Sequence, residues 1–227
     1  LRCLVGSEMC IRDRSYEVET FLITESANEK YFDASVQMQR KSKNSYFVSD
    51  TLSQKISETK NSQGVFAVCK MKNENISLKT GQKYIALDNL QDPGNLGTVI
   101  RTAEALGISS VIVGGGCDVF NPKVLRASMG SVLRLDVFEC QSLAPVLQKA
   151  KSLGIKTYAT SPDSSAKKIN ETQFPKSSLC VIGNEANGVS DEVMNICDET
   201  VTIPMLGRAE SLNAHVAGAI VMWEMLR

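Results

Sequence analysis

The sequence contains only one histidine, His215, among 227 residues. A Ser-His-Asp hydrolase site would have to use it, and no GxSxG turn that presents a nucleophilic serine occurs. The seven cysteines stand singly, with no CxxC pair and an odd total. Because zinc sites and disulfide frameworks need paired cysteines, we expect neither a metal site nor disulfides, and we expect a reducing, cytoplasmic location.

Glycine-rich nucleotide-binding motifs are also missing. The segment VIVGGGCDVF begins like a dinucleotide-binding turn, but Val119 stands where the GxGxxG pattern requires its last glycine. No GxxxxGK[ST] phosphate loop occurs either. A nicotinamide or flavin oxidoreductase is therefore disfavoured and stays only as a rival interpretation.

Excess charge and long apolar runs are absent as well. Lys+Arg and Asp+Glu both total 25, which gives a net charge of zero. Proteins that coat nucleic acid by charge are strongly basic, so any contact with nucleic acid must come from local patches or from an oligomer. No apolar run approaches the roughly 20 residues of a membrane span, and we expect no membrane partner.

What is present predicts an α/β protein in two parts. Residues 15–72 combine strand-like and helix-like segments into a small domain, and polar residues 73–82 are typical of a linker. From 83 to 227, strands alternate with helices, which predicts a largely parallel sheet covered by helices on both faces. Residues 1–14 match neither pattern, and we interpret them as a non-native junction, with a natural helical arm as the alternative.

Three loops of unusual composition follow predicted strands, at 91–97, 184–189 and 205–213. Open parallel sheets bind ligands where loops leave the carboxyl ends of their strands. Each loop alone has an ordinary structural explanation, such as helix capping or a solvated helix face. Together they make this edge of the sheet the candidate ligand site.

The first loop, in DNLQDPGNLGTVIR, combines a rigid turn with an amide and a guanidinium. Pro93 and Gly94 predict a turn that presents Asn95 at the start of a helix, which we expect from about Thr98. Arg101 on this helix supplies a planar fork of donors suited to phosphate.

The other two loops contribute a carboxylate and two polar residues. In VIGNEANGVS, Glu185 follows a buried strand, so it either pairs with a cation or lies in a site. Helix capping by Asn187 or Ser190 is the alternative for that loop. In IPMLGRAESLNAHVAG, Ser211 and Asn213 stand at the start of an apolar helix, which we expect from about Ser211. A role for Ser211 as the N-cap of this helix is the alternative to a role in the site.

The three loops in this order identify a protein family more specifically than any single loop does. DNLQDPGNLGTVIRTAEALG, CVIGNEANGVSDEV and VTIPMLGRAESLNAHVAGAIVMWE resemble the three successive motifs of the SpoU family, the TrmH-type ribose 2′-O RNA methyltransferases of the SPOUT class. The resemblance covers about residues 80–227. It implies a C-terminal, trefoil-knotted α/β domain with a parallel sheet, a homodimer and S-adenosyl-L-methionine as cofactor.

The resemblance extends to the N-terminal part. Residues 15–72 are similar to the small, ribosomal-protein-like α/β domain that precedes the catalytic domain in many members and binds substrate. A helix and a strand would come before it, and residues 1–14 do not match them. This implies a chain that is N-terminally incomplete.

Carried over by position, the family motifs imply two sets of site residues. The catalytic residues would be Asn95, Arg101, Glu185, Ser211 and Asn213. The cofactor would contact Gly183, Ile203, Met205 and Leu212. One departure is His215, where many relatives carry a small residue; we expect a packed or rim histidine that leaves the catalytic assignments unchanged.

A ribose hydroxyl must be aligned with the methyl group and must lose its proton. Because a guanidinium stays protonated, we expect Arg101 to hold a phosphate and stabilise the developing alkoxide; its use as the general base is the alternative. Glu185 would hold Arg101 in place, within one chain or across the dimer, and Asn95 and Asn213 would orient the ribose.

Basic clusters would supply the RNA contacts, namely Arg40, Lys41, Lys43, Lys167, Lys168 and Lys176. We favour ribosomal RNA over tRNA as substrate because the small N-terminal domain is present. The alternatives are a tRNA ribose 2′-O-methyltransferase and a non-catalytic relative that binds RNA.

Overall fold

The computed structural model describes residues 2–4, 17–57, 62–70, 75–209 and 211–227. The chain divides into two compact units, Leu1–Asn73 with Met129–Arg134, and Glu74–Ser128 with Leu135–Arg227. The segment interpreted as non-native, 1–14, lies outside the described residues except for 2–4. The domain boundaries drawn from the sequence stay a prediction.

The elements of the smaller unit are β1 (Arg2–Leu4), β2 (Val18–Ile23), α1 (Glu25–Lys30), α2 (Phe32–Lys41), β3 (Ser42–Phe47), α3 (Asp50–Ile56) and β4 (Val65–Cys69). Its four strands form a sheet with the order β1-β4-β2-β3. Strands β2 and β3 are parallel, and the other pairs are antiparallel. Helices α1 and α2 are separated at Tyr31, whose φ of −120° and ψ of 37° are not helical.

The larger unit contains a seven-stranded sheet in which every neighbouring pair is parallel, which confirms the predicted α/β class with a parallel sheet. The strands are β5 (Lys83–Asp88), β6 (Ser110–Gly114), β7 (Asp136–Cys140), β8 (Lys156–Thr160), β9 (Lys167–Lys168), β10 (Ser178–Ile182) and β11 (Glu199–Thr202). Their order in the sheet is β7-β6-β5-β10-β8-β11-β9. The helices are α4 (Pro93–Leu106), α5 (Pro122–Ala127), α6 (Ala144–Ser152), α7 (Asp191–Ile196) and α8 (Ala214–Leu226).

The strand order reverses between β5 and β10. The chain passes from β5 outward to β6 and β7, crosses to β8 on the other side, and then places β10 between β5 and β8. Leu87 of β5 pairs with Ile182 of β10, so the two strands end side by side. Ligands of open parallel sheets bind at such a reversal, and the loops that follow β5 and β10 both begin there.

Helix α4 begins earlier than the sequence suggested, at Pro93 and not near Thr98. The Asp92 carboxylate caps the helix, because its Oδ1 accepts from the backbone N–H of Asn95 at 2.7 Å. Pro93 then occupies the first helical turn, where its missing N–H costs nothing. Asn95 therefore lies inside the helix and is buried, with 8% of its surface exposed.

The expected start of the last helix is also corrected. Helix α8 begins at Ala214, and its N-cap is Asn213, whose Oδ1 accepts from the backbone N–H of His215 at 2.9 Å. Ser211 lies two residues before the cap and not at it. Asparagine and serine are both favourable N-cap residues. In this chain it is the Asn213 side chain that accepts the hydrogen bond from the first turn of α8.

Helix α8 is apolar on both sides. Val221, Met222 and Met225 are buried, and the helix packs against α4 and β10. Val216 and Trp223 are exposed, Trp223 to 60%. No helix among the described residues is long and apolar enough to cross a membrane.

Gly97 allows α4 to approach α5 closely. A Cβ atom built on Gly97 would lie 2.6 Å from the carbonyl oxygen of Val124 and 2.6 Å from the Cβ of Ala127. Because one of these atoms belongs to the backbone, no side-chain rotation relieves the clash. The contact between the two helices therefore requires glycine here.

We expect Gly97→Ala to lower the free energy of unfolding by about 1–3 kcal/mol through overpacking. This opposes the usual effect, because alanine in a helix interior ordinarily stabilises by roughly 0.5–1 kcal/mol relative to glycine. Urea unfolding measures the change, with Gly207→Ala as the control, since a Cβ on Gly207 meets no atom within 4 Å. A Gly97→Ala protein as stable as the wild type would contradict this packing.

Candidate active site

Asn95 joins three segments that lie far apart in the chain. Its side-chain Nδ2 donates to Glu185 Oε1 at 2.9 Å, and its Oδ1 lies 3.0 Å from Nδ1 of His215. These contacts connect the first turn of α4 with the loop after β10 and with the first turn of α8. His215, expected to leave the catalytic assignments untouched, is therefore in direct contact with one of them.

Glu185 is held by Asn95 and by the turn between β5 and α4. The backbone N–H groups of Gln91 and Asp92 both donate to its carboxylate at 3.3 Å. Burial acts to raise the pKa of the Glu185 carboxyl, but the hydrogen bonds from Asn95 and from backbone amides outweigh it and lower the pKa below its ordinary value. Glu185 is therefore an ionised carboxylate at neutral pH.

Glu185 and Arg101 do not pair within one chain, and their pairing across a dimer stays a prediction. Arg101 is exposed and makes no ion pair with any residue that the structure describes. It lies six residues beyond Asn95 on α4, which places it about 9 Å further along the helix axis. Asn95 is the residue of α4 that faces the Glu185 carboxylate.

The loop after β10 is closed by its own backbone. Asn184 and Gly188 exchange two backbone hydrogen bonds of 2.9 Å, and Nδ2 of Asn184 donates to the carbonyl of Asn89 at 2.7 Å. A Cβ on Gly183 would lie 2.0 Å from the backbone carbon of Gly188, so only glycine fits there. This closure presents Glu185 in a defined position.

A cavity of about 380 Å³ lies beside Glu185. Ligand sites for small molecules commonly measure about 300–1,000 Å³ and are mostly apolar with a few placed polar groups. Glu185 and Ser211 line the cavity, whereas Asn95, Arg101 and Asn213 do not. All four residues predicted to contact the cofactor line it as well, namely Gly183, Ile203, Met205 and Leu212.

This lining fits S-adenosyl-L-methionine. Apolar side chains and loop backbone suit the adenosine, and the ionised carboxylate of Glu185 suits a cationic sulfonium centre. The individual contacts stay predictions. Among the residues that the structure describes, no group of three or more His, Cys, Asp or Glu side chains is arranged to hold a metal ion.

Lys43, Lys167 and Lys168, which are predicted to bind RNA, form ion pairs with acidic residues that the structure describes. Lys43 forms ion pairs of 2.6 Å with both Glu17 and Glu19. Lys167 lies 3.7 Å from Glu199, and Lys168 lies 3.3 Å from Glu171. Arg40, Lys41 and Lys176, also predicted to bind RNA, are exposed.

The sequence did not predict the contacts that three residues make in the site. Asp92 could have been found, because an Asp followed by Pro is typical of a helix N-cap. Asn184 and His215 gave no local signal, since their partners Asn89 and Asn95 lie 95 and 120 residues away.

Solved structures with a similar fold include methyltransferases of the SpoU type. The chain is similar to the SpoU methyltransferase AviRb of Streptomyces viridochromogenes in complex with AdoMet, with a TM-score of 0.85 and 26% identity, over 99% of this chain and 88% of that one. It is similar to an AdoMet-bound rRNA methyltransferase from Sinorhizobium meliloti, with a TM-score of 0.86 and 26% identity, over 98% and 85% of the two chains.

Comparisons of the sequence show which family the chain belongs to. The model of the SpoU rRNA Methylase family matches residues 82–223. The 23S rRNA (guanosine(2553)-2′-O)-methyltransferase RlmP of Bacillus subtilis is 36% identical over 181 residues, which cover 79% of this chain and 71% of that protein. The chain belongs to the SpoU rRNA methylase family. This confirms the resemblance, the RNA methyltransferase class and S-adenosylmethionine as its cofactor.

We expect the stabilisation that the Glu185 carboxylate provides to depend on pH. Because its folded-state pKa is lowered, the contribution is fully present above the unfolded-state pKa and is lost as the pH falls through the folded-state value. Urea unfolding of the wild type and Glu185→Gln should show a stability difference near neutral pH that shrinks in acid. Glu192→Gln, at an exposed position on α7, is the matched control. A difference that stays constant or grows on acidification would contradict the ionised carboxylate.

Proposed function

We propose that this protein transfers a methyl group from S-adenosyl-L-methionine to a ribose 2′-hydroxyl of ribosomal RNA. The observation that carries the proposal is the hydrogen-bonded group of Glu185, Asn95 and His215 next to the cavity, in a chain of the SpoU rRNA methylase family. Similar proteins named as 23S rRNA 2′-O-methyltransferases support the choice of reaction and of RNA class.

The cofactor binds in the cavity, against Gly183, Ile203, Met205 and Leu212. When bound, it supplies a methyl group that is electrophilic because it is attached to a sulfonium. Glu185 lines the same cavity and attracts that positive charge. The larger unit carries the trefoil knot of the SPOUT class; the passage of the chain from β8 back to β10, between β8 and β5, supports this proposal.

The ribose binds on the other side of Glu185, where Asn95 lies. Asn95 and Asn213 orient the ribose, and Ser211 lines the cavity close to the start of α8. Arg101 is exposed on α4, makes no ion pair with a residue that the structure describes, and grips a phosphate next to the target ribose. There it stabilises the alkoxide that develops as the hydroxyl loses its proton.

The smaller unit binds the RNA substrate. Its exposed residues Arg40 and Lys41 support this role, with Lys176 contributing from the larger unit. A separate recognition domain suits this reaction, because RNA is recognised through its shape and through unstacked loops. A cytoplasmic location, in which the protein would encounter ribosomal RNA, stays a prediction.

Methyl-labelled S-adenosylmethionine, offered with undermethylated ribosomal RNA and tRNA separately, tests the function. A 2′-O-methyl group removes the hydroxyl that attacks the backbone in alkali, so label should survive in alkali-resistant dinucleotides from ribosomal RNA. Label in tRNA alone would show the alternative substrate, and label in mononucleotides would sink ribose methylation.

In the same assay we expect Arg101→Lys to lower turnover by roughly 10²-fold or more, because lysine keeps the charge but loses the planar fork. Arg126→Lys, on the exposed surface of α5, is the matched control and should behave as wild type. Near-normal turnover by Arg101→Lys would argue against phosphate clamping.

We further propose that the protein is a homodimer joined through α8. Val216, Trp223 and Leu226 form an exposed apolar stripe, at the spacing that places residues on one side of a helix. Monomeric proteins rarely leave such a stripe in water.

Trp223→Glu should shift the protein from dimer to monomer in sedimentation velocity, because it places a charge in the middle of the stripe. Leu153→Glu, at an exposed leucine after α6, is the control and should leave the dimer intact. A wild-type protein that sediments as a monomer at micromolar concentration would contradict the proposal.

A further inference from the structure

The Asn95 side chain has one orientation that satisfies both of its neighbours. An ionised carboxylate only accepts hydrogen bonds, so the Asn95 NH₂ group must face Glu185, at 2.9 Å. The amide oxygen then faces Nδ1 of His215 at 3.0 Å. Because that oxygen only accepts, His215 must carry a proton on Nδ1.

This contact determines where His215 can take up a further proton. With hydrogen on Nδ1, a neutral imidazole has its free lone pair on Nε2. Protonation of Nε2 leaves the bond from Nδ1 to Asn95 unchanged. His215 is half-buried at the start of α8, and its Nε2 makes no hydrogen bond to a residue that the structure describes.

The other polar groups around Asn95 are poorly suited to accept a proton. Glu185 already accepts from Asn95 and from the backbone of Gln91 and Asp92. Asp92 caps α4. Arg101 has no lone pair to offer, because a guanidinium stays protonated. Histidine is the residue type that most often serves as a general base.

We propose that His215 is a catalytic residue, which accepts at Nε2 the proton of the ribose 2′-hydroxyl; the proposal rests on the proposed ribose methylation. The oxygen–methyl bond forms as the methyl–sulfur bond breaks, and the proton passes from the oxygen to Nε2. The positive charge thereby moves from the sulfonium to the imidazole, and S-adenosylhomocysteine and the 2′-O-methyl ribose leave as neutral groups. The imidazolium then releases its proton to water.

Two variants separate a base from a residue that only positions Asn95. In His215→Asn the amide nitrogen takes the place of Nδ1, so the donor to Asn95 is kept while the basic lone pair is lost. In His215→Gln the amide reaches the place of Nε2 and the donor to Asn95 is lost. We expect kcat to fall roughly 10²- to 10⁴-fold in both, with KM for RNA and calorimetric binding of S-adenosylmethionine retained in His215→Asn.

The single histidine of the chain allows a direct test of the tautomer. Protein labelled with ¹⁵N-histidine, purified without a histidine tag, gives one imidazole in a long-range ¹H–¹⁵N spectrum. We expect the neutral form to carry its proton on Nδ1. In Glu185→Gln the Asn95 amide is free to turn over, and we expect a mixture of tautomers.

An Nε2–H tautomer in the wild type would overturn the proposal, as would near-wild-type kcat in His215→Asn. If the wild type methylates no RNA while its tautomer is Nδ1–H, the proposed function fails, and the role of His215 as base fails with it. An active wild type together with an active His215→Asn overturns the role of His215 alone.

Discussion

The two hydrogen bonds of the Asn95 amide are the constraint on which the site depends. They join α4 to residues that lie 90 and 120 positions further along the chain. Asn95 can reach both because Asp92 caps α4 four residues after the end of β5 and so places the amide in the first turn. Glu185, held by this amide, in turn forms part of the wall of the cavity.

The strand order of the sheet brings the segments that carry Asn95 and Glu185 together. Insertion of β10 between β5 and β8 brings the ends of β5 and β10 together, so their loops share one edge. The loop after β10 is closed tightly enough that Gly183 admits no side chain. A cofactor site and a ribose site can therefore lie on the two sides of one carboxylate.

The sequence predicted the features that have a local signal. Alternating strands and helices predicted the parallel sheet, and the order of the three loops predicted the family. The strand order had no such signal, because it depends on pairing between distant segments. The start of α4 was misjudged because Asp92 and Pro93 fit a turn as well as a helix cap. The contact of His215 with Asn95 is invisible in a sequence.

The central claim is that cofactor and ribose meet at the Glu185 carboxylate and the Asn95 amide. A crystal structure with S-adenosylhomocysteine bound tests it most directly. The account predicts the ligand in the cavity next to Gly183 and Leu212, its sulfur directed towards Asn95, with the amide still bonded to Glu185 and His215. A ligand bound elsewhere, or an Asn95 amide turned away from Glu185, would contradict it.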